Sequence, residues 1–193
     1  APLFDADTWE KENPDTFVMV RDLSLNVIKD IRDADCFLID GDHNWYTVYH
    51  ELKMIYDTYG RENFPLVFFH DILWPYDRRD LYYCPENIPA VYRHEYEVKA
   101  IKPGSDELCS EGLNERHCNA KAYGGEQNGV LTAIEDFVRD YPDLELEFMS
   151  HDVLFGLGII ASRKKYPRAL DYFYSADALK GTMKENALTK WWR

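Results

Sequence analysis

The segment Asp35-Cys36-Phe37-Leu38-Ile39-Asp40-Gly41-Asp42-His43-Asn44 runs from a near-continuous apolar stretch straight into an acidic turn that carries a histidine. An apolar run of this kind reads as a strand of a buried parallel sheet. Outward from it, Val48, Leu52, Ile55 and Tyr59 recur at helical spacing over Tyr46–Tyr59, with Gly60 as the closing residue, and Leu66–His70 forms a second buried strand. Upstream, Thr16–Val20 reads as a strand and Leu23–Ile31 as a short helix. Downstream, Asn128 is the expected N-cap of a helix over Gly129–Tyr141, with Val130, Ile134, Phe137 and Val138 on one face. Strands at Leu144–Met149 and Leu154–Ala161, joined by Ser150-His151-Asp152, are expected to pair antiparallel. Strands alternating with helices predict an α/β fold.

The 193 residues are 46% hydrophobic and 30% charged, which suits one domain with a real core and excludes a disordered chain. With 22 Lys+Arg against 35 Asp+Glu, the net charge of −13 argues against nucleic acid as a partner. No apolar run approaches the roughly 20 residues that span a bilayer, so no membrane partner is expected. Ala1–Glu10 is acidic and broken by Pro2, unlike a signal or transit peptide. Four cysteines do not make a disulfide scaffold, so a reducing cytoplasm is the expected compartment. Cys36 reads as a core thiol, and Cys84, Cys109 and Cys118 as loop cysteines, with a zinc site beside His117 as the alternative.

Residues 71–127 are irregular, punctuated by Pro75, Pro85, Pro89, Pro103 and several glycines; only Ile88–Tyr96 looks helical. A long insert of this kind reads as a lid or binding loop. Residues 1–163 are therefore taken as one α/β domain containing the 71–127 insert, and 164–193 as a helical tail. That tail ends on Trp191-Trp192 and is expected to dock on a second copy or an adjoining domain.

Ligand sites in open α/β sheets form at the carboxyl ends of strands. The first strand ends in Asp40-Gly41-Asp42-His43 and the second in His70-Asp71, so one rim carries carboxylates and imidazoles suited to a divalent cation. The bland alternative for Asp42 is a helix cap, with Gly41 making the turn. His43 or His70 is a candidate general base toward a hydroxyl. His50 and His94 read as surface histidines on helices, and His151 as a loop residue. Trp74, Tyr76, Arg78 and Arg79 follow directly and form a candidate substrate surface, since aromatics stack on flat groups and Arg pairs with anions. A Tyr-rich loop packed over the sheet is the alternative.

Four stretches carry a resemblance: Ile39-Asp40-Gly41-Asp42-His43; His70-Asp71-Ile72; Asn128-Gly129-Val130 with Ile134-Glu135-Asp136-Phe137; and Gly156-Leu157-Gly158-Ile159. In this order they resemble class I methyltransferases that use S-adenosylmethionine, in the group found in sugar, antibiotic and polysaccharide biosynthesis. The resemblance implies a Rossmann-like three-layer α/β/α sandwich, mostly parallel, with an antiparallel C-terminal strand pair. It implies methyl transfer to a hydroxyl of a sugar or natural product, assisted by Mg²⁺ or another divalent cation. Asp22, Ser24, Asp40 and Gly41 would then contact the cofactor, and Asp40, Asp42, His70 and Asp71 the metal. Such enzymes begin with a strand, a Gly-x-Gly loop and a second strand ending in an acid, yet Ala1–Asp15 contains no glycine. The first two strands are thus expected to be missing, with Phe17–Arg21 as the family's third strand and the chain a piece of a longer protein. Two other readings stay open. One is a metal-dependent phosphoesterase-like hydrolase; the other is a non-catalytic half-domain that binds a partner.

Overall fold

A computed structural model describes residues 5–176; Trp191, Trp192 and most of the expected tail lie outside them. Helix α1 (Ala6–Glu12) is capped by Asp5, whose carboxylate accepts the Thr8 N–H. Thr16–Val20 forms no strand, and Val18 and Val20 are exposed. A β-branched run becomes a strand only where a neighbour takes its N–H and C=O groups. Here the Met19 N–H goes instead to the Glu10 carboxylate at 3.1 Å. The helix expected at 23–31 is α2 (Ser24–Val27) followed by a 3-10 turn, Ile28–Asp30.

Strand β1 (Cys36–Ile39), helix α3 (Trp45–Asn63) and strand β2 (Leu66–His70) follow the expected order. Asn44 caps α3, accepting the Thr47 N–H at 2.9 Å, whereas Asp42 accepts the Thr47 hydroxyl at 2.8 Å. Gly60, at φ +67°, breaks the helix as expected, but a further turn continues beyond it. Val48, Leu52 and Ile55 are completely buried, each worth roughly 1.5–3 kcal/mol of apolar burial.

The insert has a sheet of its own. Strands β3 (Leu81–Tyr82), β4 (Tyr96–Val98) and β5 (Cys118–Ala120) pair antiparallel in the order β3-β5-β4. The helix expected at 88–96 shrinks to a 3-10 turn at Ala90–Tyr92, and the chain then extends into β4. His94 accordingly lies in a connecting segment rather than on a helix.

Helix α4 (Val130–Asp140) starts behind Gly129, not Asn128. Gly129 sits at φ +91°, and a Cβ there would stand 2.4 Å from the Asp77 carbonyl oxygen. Asn128 is instead a buried clasp: its side chain accepts the Asp80 N–H at 2.7 Å and donates to the carbonyls of Ala122 and Gly124. Strands β6 (Leu146–His151) and β7 (Leu157–Ser162) form the expected antiparallel pair, but residues 152–156 connect them. His151 therefore closes β6, its ring nitrogen Nε2 bonded to the Phe173 carbonyl of helix α5 (Pro167–Ala176).

The main sheet has the order β1-β2-β7-β6. Only β1 and β2 pair parallel; β7 runs antiparallel to both β2 and β6. The sheet is thus mixed rather than mostly parallel, although β1, β2 and β6 point the same way. Residues alternate across it as the pleat requires. Val67, Phe69 and Ile160 pack with α3 and α4, while Phe68, Met149 and Ile159 pack with Leu170 and Phe173 of α5. The result is three layers, α/β/α. β1 is an edge among the described residues, with Leu38 68% exposed. Cys36 is exposed there too and is not a core thiol. No helix among the described residues is long and apolar enough to cross a membrane.

Candidate functional site

The parallel pairing sets Ile39 opposite Phe69, so the next residues, Asp40 and His70, leave the sheet side by side. His70 Nδ1 lies 3.3 Å from Asp40 Oδ1 and 2.9 Å from Asp71 Oδ2. His43 Nε2 lies 2.8 Å from the same Asp71 oxygen and 4.0 Å from Asp40. Asp40, His70 and Asp71 each offer a ligand atom within 4.8 Å of the others, the one such group found among the described residues. Cys109 and Cys118 belong to no such group; the Cys109 thiol contacts the Ala100 and Glu111 carbonyls.

Asp71 leaves β2 at φ +58°, a left-handed conformation that Asp tolerates better than most residues. Burial pushes its carboxyl up, but His43 and then His70 pull it down further, and the outcome is a carboxyl held below its usual range. It therefore stays ionised between two imidazoles. Apart from this 2.8 Å contact with Asp71, His43 Nε2 has no hydrogen-bond partner among the described residues. The other face of that ring is fixed by the insert. Tyr76 stacks on it at 5.4 Å, the Tyr83 hydroxyl lies 3.1 Å from Nδ1, and the Leu81 N–H bonds the His43 carbonyl.

Asp42 stands outside this group. It turns toward Thr47 and lines a neighbouring cavity of about 280 Å³. Asp22, Ser24 and Gly41, expected on the cofactor side, line the same cavity, while Asp40 does not. Asp22 accepts from the Asn26 side chain and the Leu23 N–H, which hold its carboxyl below the usual range. Ser24 is the first residue of α2, whose N-cap is Leu23. Glu51 was not singled out by the sequence reading. It is 5% exposed, its Oε2 has no partner, and burial pushes the carboxyl up to about 7.

The expected substrate surface is largely framework. Arg79 is fully buried and donates to the carbonyls of Ala120, Lys121 and Asp106. Arg78 makes a two-pronged pair with Glu135 of α4, at 2.5 and 2.7 Å. The buried Tyr76 donates to Asn119 and meets the acid–imidazole group only through the His43 ring. Trp74 is partly buried against the main core. His50, expected at the surface, is partly buried among Tyr46, Tyr49 and Tyr92. Comparison of this chain with known protein families, with curated proteins and with solved structures finds no match.

Proposed function

We propose that this chain supports S-adenosylmethionine-dependent O-methyl transfer, assisted by a divalent cation, to a hydroxyl of a sugar or natural product. The observation that carries the reading is the convergence of Asp40, His70 and Asp71 at adjacent carboxyl ends of β1 and β2. The strand order β1-β2-β7-β6, with only β7 reversed, parallels the fourth, fifth, seventh and sixth strands of the class I methyltransferase sheet. In that frame β1 stands for the family's fourth strand and is an edge among the described residues.

The donor set fits a cation such as Mg²⁺ or Mn²⁺: two carboxylate oxygens and an imidazole nitrogen, with one carboxylate kept ionised by its neighbours. When bound, such an ion lowers the cost of deprotonating a coordinated hydroxyl. His43 is placed to take that proton. Its Nε2 faces the Asp71 carboxylate at 2.8 Å, which orients the imidazole, and Tyr76 and Tyr83 hold the ring. The cavity beside Gly41 and Asp42 would take the adenine end of the cofactor through Asp22 and Ser24. Catalysis is then mostly positioning.

The test is calorimetric titration of the chain with Mn²⁺ and with S-adenosylmethionine, followed by mass spectrometry of hydroxyl-bearing acceptors for a methyl gain. Cation binding lost in Asp40→Asn and Asp71→Asn, together with cofactor binding, supports the reading. Neither ligand binding to the unsubstituted chain sinks it.

A further inference from the structure

The cavity beside the acid–imidazole group has an unusual lining. It carries three carboxyl groups, Asp22, Asp42 and Glu51, and no basic residue, set among Leu23, Leu25, Ile88 and two tyrosines. An anion is repelled from such a space, and a flat apolar body bearing N–H donors is favoured. A volume of about 280 Å³ lies at the low end for ligand pockets and takes one ring system, not a chain of sugars.

Two of the three carboxyls are already engaged: Asp22 by Asn26 and Leu23, and Asp42 by Thr47. Glu51 differs. Its Oε2 is sealed from water with no hydrogen-bond partner among the described residues, in a residue that is 5% exposed. A buried acceptor left unmatched costs about 1–3 kcal/mol, so a donor arriving in the cavity recovers what folding left unsatisfied. The last torsion of a Glu side chain is soft, so a small rotation turns an oxygen from the wall into the cavity.

We infer that Glu51 is the specificity-determining residue of this cavity, accepting a hydrogen bond from the exocyclic amino group of an aminopurine ring. The inference rests on the S-adenosylmethionine reading and adds to it the atom that tells adenine from a 6-oxopurine or an unsubstituted purine. A site built to bond an amino group rejects analogues that lack it, because its own polar atom is then left unpaired.

The experiment measures binding of S-adenosylhomocysteine, adenosine, inosine and purine riboside to the full chain by calorimetry. The unsubstituted protein is expected to bind adenosine about tenfold or more tightly than inosine or purine riboside. Glu51→Leu is expected to bring the three nucleosides within about threefold of one another, since the discriminating acceptor is gone, whereas Glu51→Gln keeps an amide oxygen that accepts and retains a preference for adenosine. The carboxyl ¹³C signal of Glu51 in the unsubstituted protein is expected to move on saturation with adenosine, a readout that needs no variant to fold. Equal affinity for the three nucleosides, or an unmoved Glu51 signal at adenosine saturation, overturns the role of Glu51 and leaves the cofactor reading standing. Failure of both S-adenosylhomocysteine and adenosine to bind, with Mn²⁺ still bound, overturns both.

Discussion

Asp80 accepts the backbone N–H of Trp45 at 2.7 Å across 35 positions of sequence, so the first turn of α3 hangs on a carboxylate supplied by the insert. The same Oδ1 accepts the Gly129 N–H at 2.7 Å, and Oδ2 takes the Tyr82 hydroxyl at 2.8 Å. One buried side chain thus ties together the starts of both helices that cover the site. Asp80→Ala leaves three donors without their acceptor, and a loss of about 3 kcal/mol or more is expected. Urea unfolding at fixed pH measures it. A midpoint unchanged from the parent would show that the insert does not anchor α3 and α4.

A cation held by Asp40, His70 and Asp71 stabilises the folded chain by mass action. At a hundredfold excess over its dissociation constant the gain is about 2.7 kcal/mol. A thermal melt with and without Mn²⁺ should therefore show an upward shift that a chelator reverses. Asp71→Asn should abolish the shift, since the substitution removes the carboxylate that both imidazoles face. A shift of equal size in Asp71→Asn would place the ion elsewhere.

Glu51 gives stability a pH dependence of defined sign. Its carboxyl lies at about 7 in the folded chain, above the ordinary value of 4.5, because burial disfavours the charged form. Folded protein then holds a proton that unfolded chain has released, and stability falls as pH rises from 4.5 toward 7. The amount at stake is roughly 3 kcal/mol. Glu51→Gln should flatten this part of the profile and gain on the parent above pH 7. Parallel profiles for the two proteins would remove Glu51 as the cause.

Gly129→Ala combines two costs. The backbone at φ +91° is strained for any residue with a Cβ, and the added carbon would meet the Asp77 carbonyl oxygen at 2.4 Å and the Arg79 nitrogen at 2.5 Å. Those neighbours are backbone and cannot swing aside. A loss of more than about 2 kcal/mol is expected, against a few tenths for an exposed glycine free of contacts. Gly124→Ala is no control, because its φ is also positive; Gly41→Ala is the better comparison, with open space around it and no such φ. Equal melting temperatures for Gly129→Ala and Gly41→Ala would contradict the clash.

The rim of Asp40, His70 and Asp71 was legible in sequence because parallel neighbours bring their carboxyl ends together, so two strand ends rich in ligands imply one site. Glu51 was not legible. It sits beside Leu52 on a helix whose apolar spacing marks the core face, and charged residues are assigned to the opposite face by default. Only the fold shows that α2 closes over it. For Tyr76 and Arg79 the sequence left a substrate surface and a packed loop both open, and their burial was not legible for the converse reason. In an insert without visible periodicity an Arg is taken as exposed, but β3 and β5 are two and three residues long, too short to leave a pattern, and the sheet they build needs Arg79 to satisfy its carbonyls. Thr16–Val20 has strand composition without a strand, because pairing depends on a neighbour that local sequence does not supply.

The turn Asp40-Gly41-Asp42-His43 has two flanks. Asp40 and His43 look onto the cluster that suits a cation, and Gly41 and Asp42 wall the cavity that suits a ring. One short turn thus borders both spaces. A cation and a ring bound on the two sides of this turn are expected to affect each other's affinity through it. By thermodynamic reciprocity, whatever factor the ion adds to the affinity for the ring, the ring returns to the ion. A titration of either partner, repeated at saturation with the other, reads the same coupling from opposite ends.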